Sequence, residues 1–174
     1  MRKIPSLFIF LFLTLFVRDA VSLDAAQIGK PAPEFTLINV NGGKGSLSEY
    51  KGKVVLLNFW ATFCGPCKAE MPSLNSLFLS YQKDDFIVLA VSTDDSEKPV
   101  QSFIRKKAIA FPVLIDKDQE VYFEKYGVIG LPTSFLIDRD GLVREKFLGD
   151  RPWDAPEMKE KIEKLLSKNR KEGK

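Results

Sequence analysis

The most informative segment of the chain is VVLLNFWATFCGPC, residues 54–67. Its first part, residues 54–61, is a continuous apolar run, which is typical of a strand buried on both faces of a sheet. The only two cysteines of the chain, Cys64 and Cys67, follow at once, and the pattern after them predicts a helix over residues 64–82. The segment therefore predicts a buried strand that leads directly into a helix with a C-x-x-C motif at its start.

Strands and helices alternate along the rest of the chain. Strands are predicted at residues 35–40, 54–61, 86–92, 113–115, 133–137 and 142–147, and helices at residues 64–82, 96–108, 121–126 and 156–167. The last two strands flank an Asp-Gly pair and are expected to form a hairpin, and an Asn-Gly-Gly turn follows the first strand. The fold class is therefore α/β, with a mainly parallel sheet covered by helices on both faces and an antiparallel edge.

The placement of the two cysteines predicts that they differ in reactivity. Cys64 would lie at a helix N-terminus, where free backbone N–H groups and the helix dipole stabilise a thiolate. Cys67 would lie nearly one turn deeper on the same face, from which it can attack a mixed disulfide at Cys64. A structural disulfide is the alternative, but so short a loop constrains the unfolded chain very little. The motif therefore favours redox catalysis.

Composition excludes many other kinds of chemistry. The 174 residues contain no histidine, which rules out Ser-His-Asp triads, Cys-His pairs and histidine-ligated metals. Two cysteines can hardly complete a tetrahedral zinc site within one chain, so no metal and no cofactor are expected. The formal net charge of +3, from 26 Lys and Arg against 23 Asp and Glu, is too balanced to predict a nucleic-acid partner.

The N-terminal residues have the pattern of a secretory signal peptide. Arg2 and Lys3 precede an apolar run at residues 4–17, and Ala-Val-Ser follows at residues 20–22. We therefore expect residues 1–22 to be a signal peptide, with an uncleaved membrane anchor as the alternative, although the apolar run is short for a bilayer span. A single domain is then expected at residues 28–168, followed by a frayed basic tail at residues 169–174.

Three segments of the sequence carry a family resemblance. Residues 58–72, NFWATFCGPCKAEMP, resemble the active-site segment of exported thioredoxin-fold proteins of the TlpA/ResA-like (DsbE/CcmG-like) branch. Residues 29–35, GKPAPEF, and residues 130–138, GLPTSFLID, are similar to the same branch. The resemblance spans about residues 28–166 and implies a thioredoxin fold, in which a central mixed sheet with helices on both faces carries an N-terminal strand or hairpin extension.

The resemblance also implies roles for individual residues. Cys64 would attack a substrate disulfide and Cys67 would resolve the mixed disulfide, so that the two form the redox disulfide. The Leu131–Pro132 bond would be cis and would face the two sulfurs. The residues assigned to the substrate surface are Trp60, as a partly exposed contact, with Gly65, Pro66, Leu131, Pro132 and Thr133. The contribution of Phe63 stays open, because tryptophan is commoner at its position.

Glu70 has two interpretations. By spacing alone, a glutamate three residues after Cys67 is an ordinary solvated carboxylate on a helix. The resemblance implies instead that an acid at this position lies close to the thiols. Asn58 stands where classical thioredoxins have a buried aspartate that moves the proton of the second cysteine, and an amide cannot titrate. We therefore predict that Glu70 handles the proton of Cys67.

These observations predict a thiol–disulfide oxidoreductase of the cell envelope, and the Gly-Pro pair between the cysteines resembles the reducing members of the superfamily. The expected partners of this monomer are disulfide-containing exported proteins, apocytochrome c being favoured by the resemblance, and a membrane thiol electron donor. The expected location is the periplasm or the extracytoplasmic side of the cytoplasmic membrane. One alternative is a thioredoxin-fold peroxide reductase, whose Pro-x-x-x-Thr/Ser-x-x-Cys pattern is missing here; the other is a non-catalytic peptide-binding or chaperone module.

Overall fold

The computed structural model describes residues 25–168, so the expected signal peptide or anchor and the expected tail lie outside the described residues. The strands are β1 (Thr36–Asn39), β2 (Lys44–Ser46), β3 (Val54–Trp60), β4 (Phe86–Ser92), β5 (Val113–Ile115), β6 (Thr133–Ile137) and β7 (Val143–Leu148). The helices are α1 (Gly65–Tyr81), α2 (Glu97–Lys106) and α3 (Pro156–Lys168), and there is a 3-10 turn at Leu47–Tyr50. Each predicted strand and three of the four predicted helices are present, with ends that differ by at most two residues from the prediction.

All seven strands of the described chain form one mixed sheet in the order β2-β1-β5-β4-β3-β6-β7. Only β3, β4 and β5 run parallel to one another, and every other pairing is antiparallel. The predicted mixed α/β class is confirmed, but the expectation of a mainly parallel sheet with one antiparallel edge is wrong. β1 pairs with β5, Ile38 against Ile115, and this contact between distant segments makes the second edge antiparallel as well.

The centre of the sheet is fully buried. Every residue of β3 and β4 is buried, as the apolar run predicted. Side chains alternate along β3, so that Leu56 packs in one cluster with Met71 of α1, while Phe59 packs in the other cluster with Phe135 of β6. Burying such a side chain contributes about 1.5–3 kcal/mol, so the two clusters hold β3 and the segment after it in place.

The segment predicted as a short helix at residues 121–126 is a wide π-type turn at Glu120–Lys125. The N–H of Tyr126 donates to the carbonyl of Val121 five residues earlier, at 3.0 Å. The Asp116 carboxylate accepts from the N–H groups of Val121 and Tyr122, at 3.3 and 2.7 Å. The turn ends as predicted at Gly127, where a φ of 57° suits glycine.

Candidate active site

The two cysteines lie at the junction of β3 and α1 and form a disulfide. Cys64 is the N-cap of α1, and the N–H of Cys67 points at its sulfur at 3.2 Å. Cys64 is half-buried, Cys67 is completely buried, and Gly65 and Pro66 between them are exposed. Solvent therefore reaches the first cysteine of the pair and not the second, which matches the geometry expected from the helix N-terminus.

The turn that carries Cys64 is anchored to the end of β4. The Asp94 carboxylate accepts from the N–H of Thr62 at 2.9 Å, from the hydroxyl of Thr62, and from the hydroxyl of Ser92 at 2.6 Å. Asp94 is buried. The sequence analysis missed this residue, although the parallel order of β3 and β4 could have indicated it, because the carboxyl ends of neighbouring parallel strands meet at one edge.

The loop before β6 lies at the same end of the sheet as the disulfide. Thr133, the first residue of β6, pairs antiparallel with Phe59 near the end of β3. The Leu131–Pro132 bond is cis, as the resemblance implied. Pro132 is buried and Leu131 is half-buried. The Thr133 side chain is buried, and its hydroxyl donates to the carbonyl of Gly130 at 2.7 Å. The hydroxyl therefore holds the loop, whereas the resemblance implied that Thr133 would contact the substrate.

Trp60 does not form part of the exposed surface. It is completely buried and its ring packs against Phe103 of α2 at 5.2 Å between centroids. The expectation of a partly exposed contact is wrong, because the alternation along β3 turns this side chain towards the helices. Two other apolar side chains near the sulfur-bearing end are exposed: Phe63, beside Cys64, at 73% and Ile129, before the cis-proline loop, at 90%. The sequence analysis left Phe63 open and did not single out Ile129.

Glu70 is buried one turn after Cys67, with an exposed fraction of 2%. Its carboxylate accepts hydrogen bonds from Asn58 Nδ2 at 2.8 Å and from Trp153 Nε1 at 2.7 Å. Burial raises the pKa of Glu70 to about 7, although the hydrogen bonds from Trp153 and Asn58 lower it in part. A carboxyl group with a pKa near neutrality can both take up and release a proton at physiological pH, unlike the solvated glutamate of the alternative interpretation.

Asn58 and Trp153 each donate a hydrogen bond to one of the two carboxylate oxygens of Glu70. Asn58 Nδ2 also donates to the hydroxyl of Ser134 at 2.9 Å, while Asn58 Oδ1 has no hydrogen-bond partner within residues 25–168. Trp153 lies in the segment between β7 and α3 and was not singled out from the sequence. The available signal was general, since a buried indole N–H usually needs an acceptor.

Neither a cluster of metal ligands nor a membrane-spanning helix is found among the described residues. No group of three or more metal-ligating side chains comes together within residues 25–168. No helix in this part of the chain has both the length and the apolar character needed to cross a bilayer.

The chain is similar to several proteins of known family. A model of the AhpC/TSA family matches residues 28–146. The thiol-disulfide oxidoreductase ResA of Bacillus thuringiensis subsp. konkukian is 42% identical over 155 residues, 89% of this chain and 86% of that protein. The thioredoxin-like protein YneN of Bacillus subtilis is 39% identical over 140 residues, 79% of each chain. A solved structure, a putative thiol:disulfide interchange protein DsbE from Chlorobium tepidum, superposes with a TM-score of 0.74 at 36% identity, covering 82% of this chain and 99% of that one.

Proposed function

Because the chain belongs to the AhpC/TSA family and is a thiol–disulfide oxidoreductase, we propose that it reduces disulfide bonds in exported proteins, with Cys64 as the attacking thiol and Cys67 as the resolving thiol. The observation that carries this assignment is the difference in burial between the two sulfurs. Cys64 is accessible at the start of α1, whereas Cys67 is buried between Cys64 and Glu70 along the helix. Only the first can meet a sulfur of another protein.

The reaction begins with the reduced pair. The Cys64 thiolate attacks one sulfur of the substrate disulfide, a mixed disulfide forms, and the other substrate sulfur leaves as a thiolate that takes a proton. The Glu70 carboxylate accepts the proton of Cys67, and the Cys67 thiolate then attacks the Cys64 sulfur. The intramolecular disulfide forms and the second substrate thiolate is released. Two electrons pass from the pair to the substrate.

The burial of Cys67 explains why a carboxyl group is needed to accept its proton in the second half-reaction. Cys67 is completely buried, so water cannot take its proton directly. Glu70 lies three residues further along the same helix, on the face that it shares with Cys67. Its pKa of about 7 allows it to accept that proton and to return it to solvent later.

The substrate surface is the exposed region around Cys64. It comprises Gly65 and Pro66 at the start of α1 and the half-buried Leu131 of the cis-proline loop. Phe63 and Ile129 add exposed apolar area beside these two segments. An extended segment of an unfolded or partly folded exported protein, with apolar residues near its cysteine, fits such a surface.

The sequence pattern supports the proposed location, and the family resemblance supports the proposed partners. The signal-peptide pattern of residues 1–22 supports a site of action outside the cytoplasm, in the periplasm or on the outer side of the cytoplasmic membrane. Apocytochrome c, with its paired cysteines, is the proposed substrate, and a membrane thiol protein is the proposed electron donor. The donor reduces the Cys64–Cys67 disulfide after each turnover.

The test uses a peptide with an intramolecular disulfide and the reduced protein. We expect wild-type protein to reduce the peptide, Cys67→Ala to accumulate the mixed disulfide at Cys64, and Cys64→Ser to do neither. Rapid consumption of hydrogen peroxide without reduction of the peptide would indicate a peroxide reductase instead. Peptide binding without turnover, equal in wild type and Cys64→Ser, would indicate a binding module.

A further inference from the structure

Trp153 is tied to the turn of α1 that carries Glu70. Its side chain is completely buried, and its Nε1 donates to Glu70 Oε2 at 2.7 Å. Its backbone N–H donates to the hydroxyl of Ser73 at 3.2 Å, and that hydroxyl donates in turn to the carbonyl of Glu70 at 2.9 Å. The ring packs edge-to-face on Phe147 of β7, at 5.4 Å between centroids. Trp153 is therefore fixed at both its backbone and its ring.

We propose that Trp153 is a positioning residue for the proton transfer at Cys67: its indole N–H holds the Glu70 carboxylate in its ionised, proton-accepting form and in a fixed orientation. This inference rests on the proposed role of Glu70. It extends that role to a segment beyond the residues matched by the family model, which end at residue 146. The Asn58 amide holds the other carboxylate oxygen, so the two donors together fix the plane of the group.

The charges around Glu70 explain why this donor matters. Burial and the nearby Asp150 both raise the pKa of Glu70 and so favour its protonated form. The Trp153 hydrogen bond acts in the opposite direction, together with Asn58 and the backbone of Arg151.

The groups facing Glu70 come from each element packed around it. Asp150 and Arg151 belong to the segment after β7, and the guanidinium of Arg151 lies over the Trp153 ring at 5.4 Å. Cys67 belongs to α1 and Cys64 is its N-cap, and the neighbouring residues Asn58 of β3 and Ser134 of β6 are neutral. Without the indole donor, Glu70 would keep its proton through neutral pH and could not accept one from Cys67.

The first experiment uses the two tryptophans of the chain as a matched pair. Trp60 is equally buried, but its Nε1 has no hydrogen-bond partner among the described residues. The Trp60→Phe variant keeps Trp153 as its single indole. The fluorescence emission of Trp153 is followed from pH 5 to 9 in the oxidised protein, in which neither cysteine titrates. We expect a transition with a midpoint near the Glu70 pKa of about 7, absent from Trp60→Phe/Glu70→Gln. Emission that does not change with pH contradicts the proposal.

The second experiment measures resolution of the mixed disulfide by quenched single turnover and mass spectrometry. Trp153→Phe keeps an aromatic ring and removes the donor. Because a hydrogen bond to a charged group is lost, we expect the midpoint of the pH–rate profile to rise by about 1–2 units. At pH 7 resolution becomes slower by about five-fold or more, and the rate recovers at high pH. Trp60→Phe loses an unpaired N–H of the same kind, so its midpoint stays where it is in the wild type.

The outcomes separate this inference from the proposed function. If Trp153→Phe slows resolution equally at every pH, Trp153 is only structural and the inference is wrong. If Glu70→Gln removes the pH dependence while Trp153→Phe matches wild type, the inference fails and the role of Glu70 stands. If Glu70→Gln resolves like wild type, both fail, and only the roles of Cys64 and Cys67 survive. Should Trp153→Phe not fold, the emission titration decides.

Discussion

At the scale of single residues, the site depends on a gradient of burial along the first turn and a half of α1. Cys64 is half-buried, and Cys67 and Glu70 are buried beneath it. In the proposed mechanism, the exchange with another protein therefore takes place at the surface, and the proton transfer takes place inside. Burial raises the pKa of Glu70 to about 7, and a carboxyl group with this pKa suits the proposed role as a base.

The gradient predicts unequal labelling of the reduced thiols. Cys64 caps α1 and is accessible, so it should react with iodoacetamide faster than Cys67 by roughly ten-fold or more. Cys67 is reached only when the helix start opens. Peptide mapping after short exposure at neutral pH measures the two rates. Equal labelling, or faster labelling of Cys67, would remove the assignment of Cys64 as the attacking thiol.

At the scale of elements, β3 explains both a success and a failure of the sequence analysis. Its continuous apolar run correctly predicted a strand buried on both faces, followed by the helix with the two cysteines. An apolar run buried on both faces has no polar side that would reveal which residues face which layer. The burial of Trp60 against α2 was therefore not predictable from the pattern, and the resemblance gave the wrong answer for it.

The Asp94 carboxylate connects the end of β4 with the turn before α1. Replacing Asp94 with Ala leaves the buried hydroxyl of Ser92 and the N–H of Thr62 without their acceptor. We expect a loss of about 2–4 kcal/mol in the free energy of unfolding and a slower reaction of Cys64 with disulfides.

Urea unfolding and single-turnover kinetics measure the two effects of Asp94→Ala. Asp95→Ala is the matched control, because the neighbouring side chain is exposed. A variant at position 94 that is as stable and as fast as this control would show that the turn before Cys64 does not need the anchor.

At the scale of the whole molecule, the main features that the sequence could not predict depend on contacts between distant segments. Local patterns predicted the order of strands and helices along the chain. They could not predict that β1 pairs with β5, or that Trp153 reaches Glu70 across 83 positions of the chain. The cysteine pair and the cis bond before Pro132 could be predicted, because sequence motifs carry them. The contact between Trp153 and Glu70 could not, because a remote segment with no motif makes it.

The stability of the oxidised molecule should depend on pH through Glu70. Folding raises the pKa of this group from 4.5 to about 7, so the folded protein binds the proton more tightly than the unfolded chain does. The resulting stabilisation is complete below about pH 4.5 and is lost as the pH rises through about 7. The shift corresponds to about 3 kcal/mol, an order-of-magnitude value. Glu70→Gln has no such proton, so the stability of wild type relative to this variant should fall by about that amount between pH 4 and pH 8.

Urea unfolding at both pH values measures this difference for the oxidised proteins, in which the cysteines do not titrate. Glu160→Gln is the control, since Glu160 is an exposed carboxylate on α3 and its removal should leave the difference nearly constant. A constant difference for Glu70→Gln as well would mean that folding leaves the pKa of Glu70 near its unfolded value of 4.5. The buried carboxylate would then be unable to exchange a proton with Cys67 near neutral pH, and the base in the second half-reaction would have to be sought elsewhere.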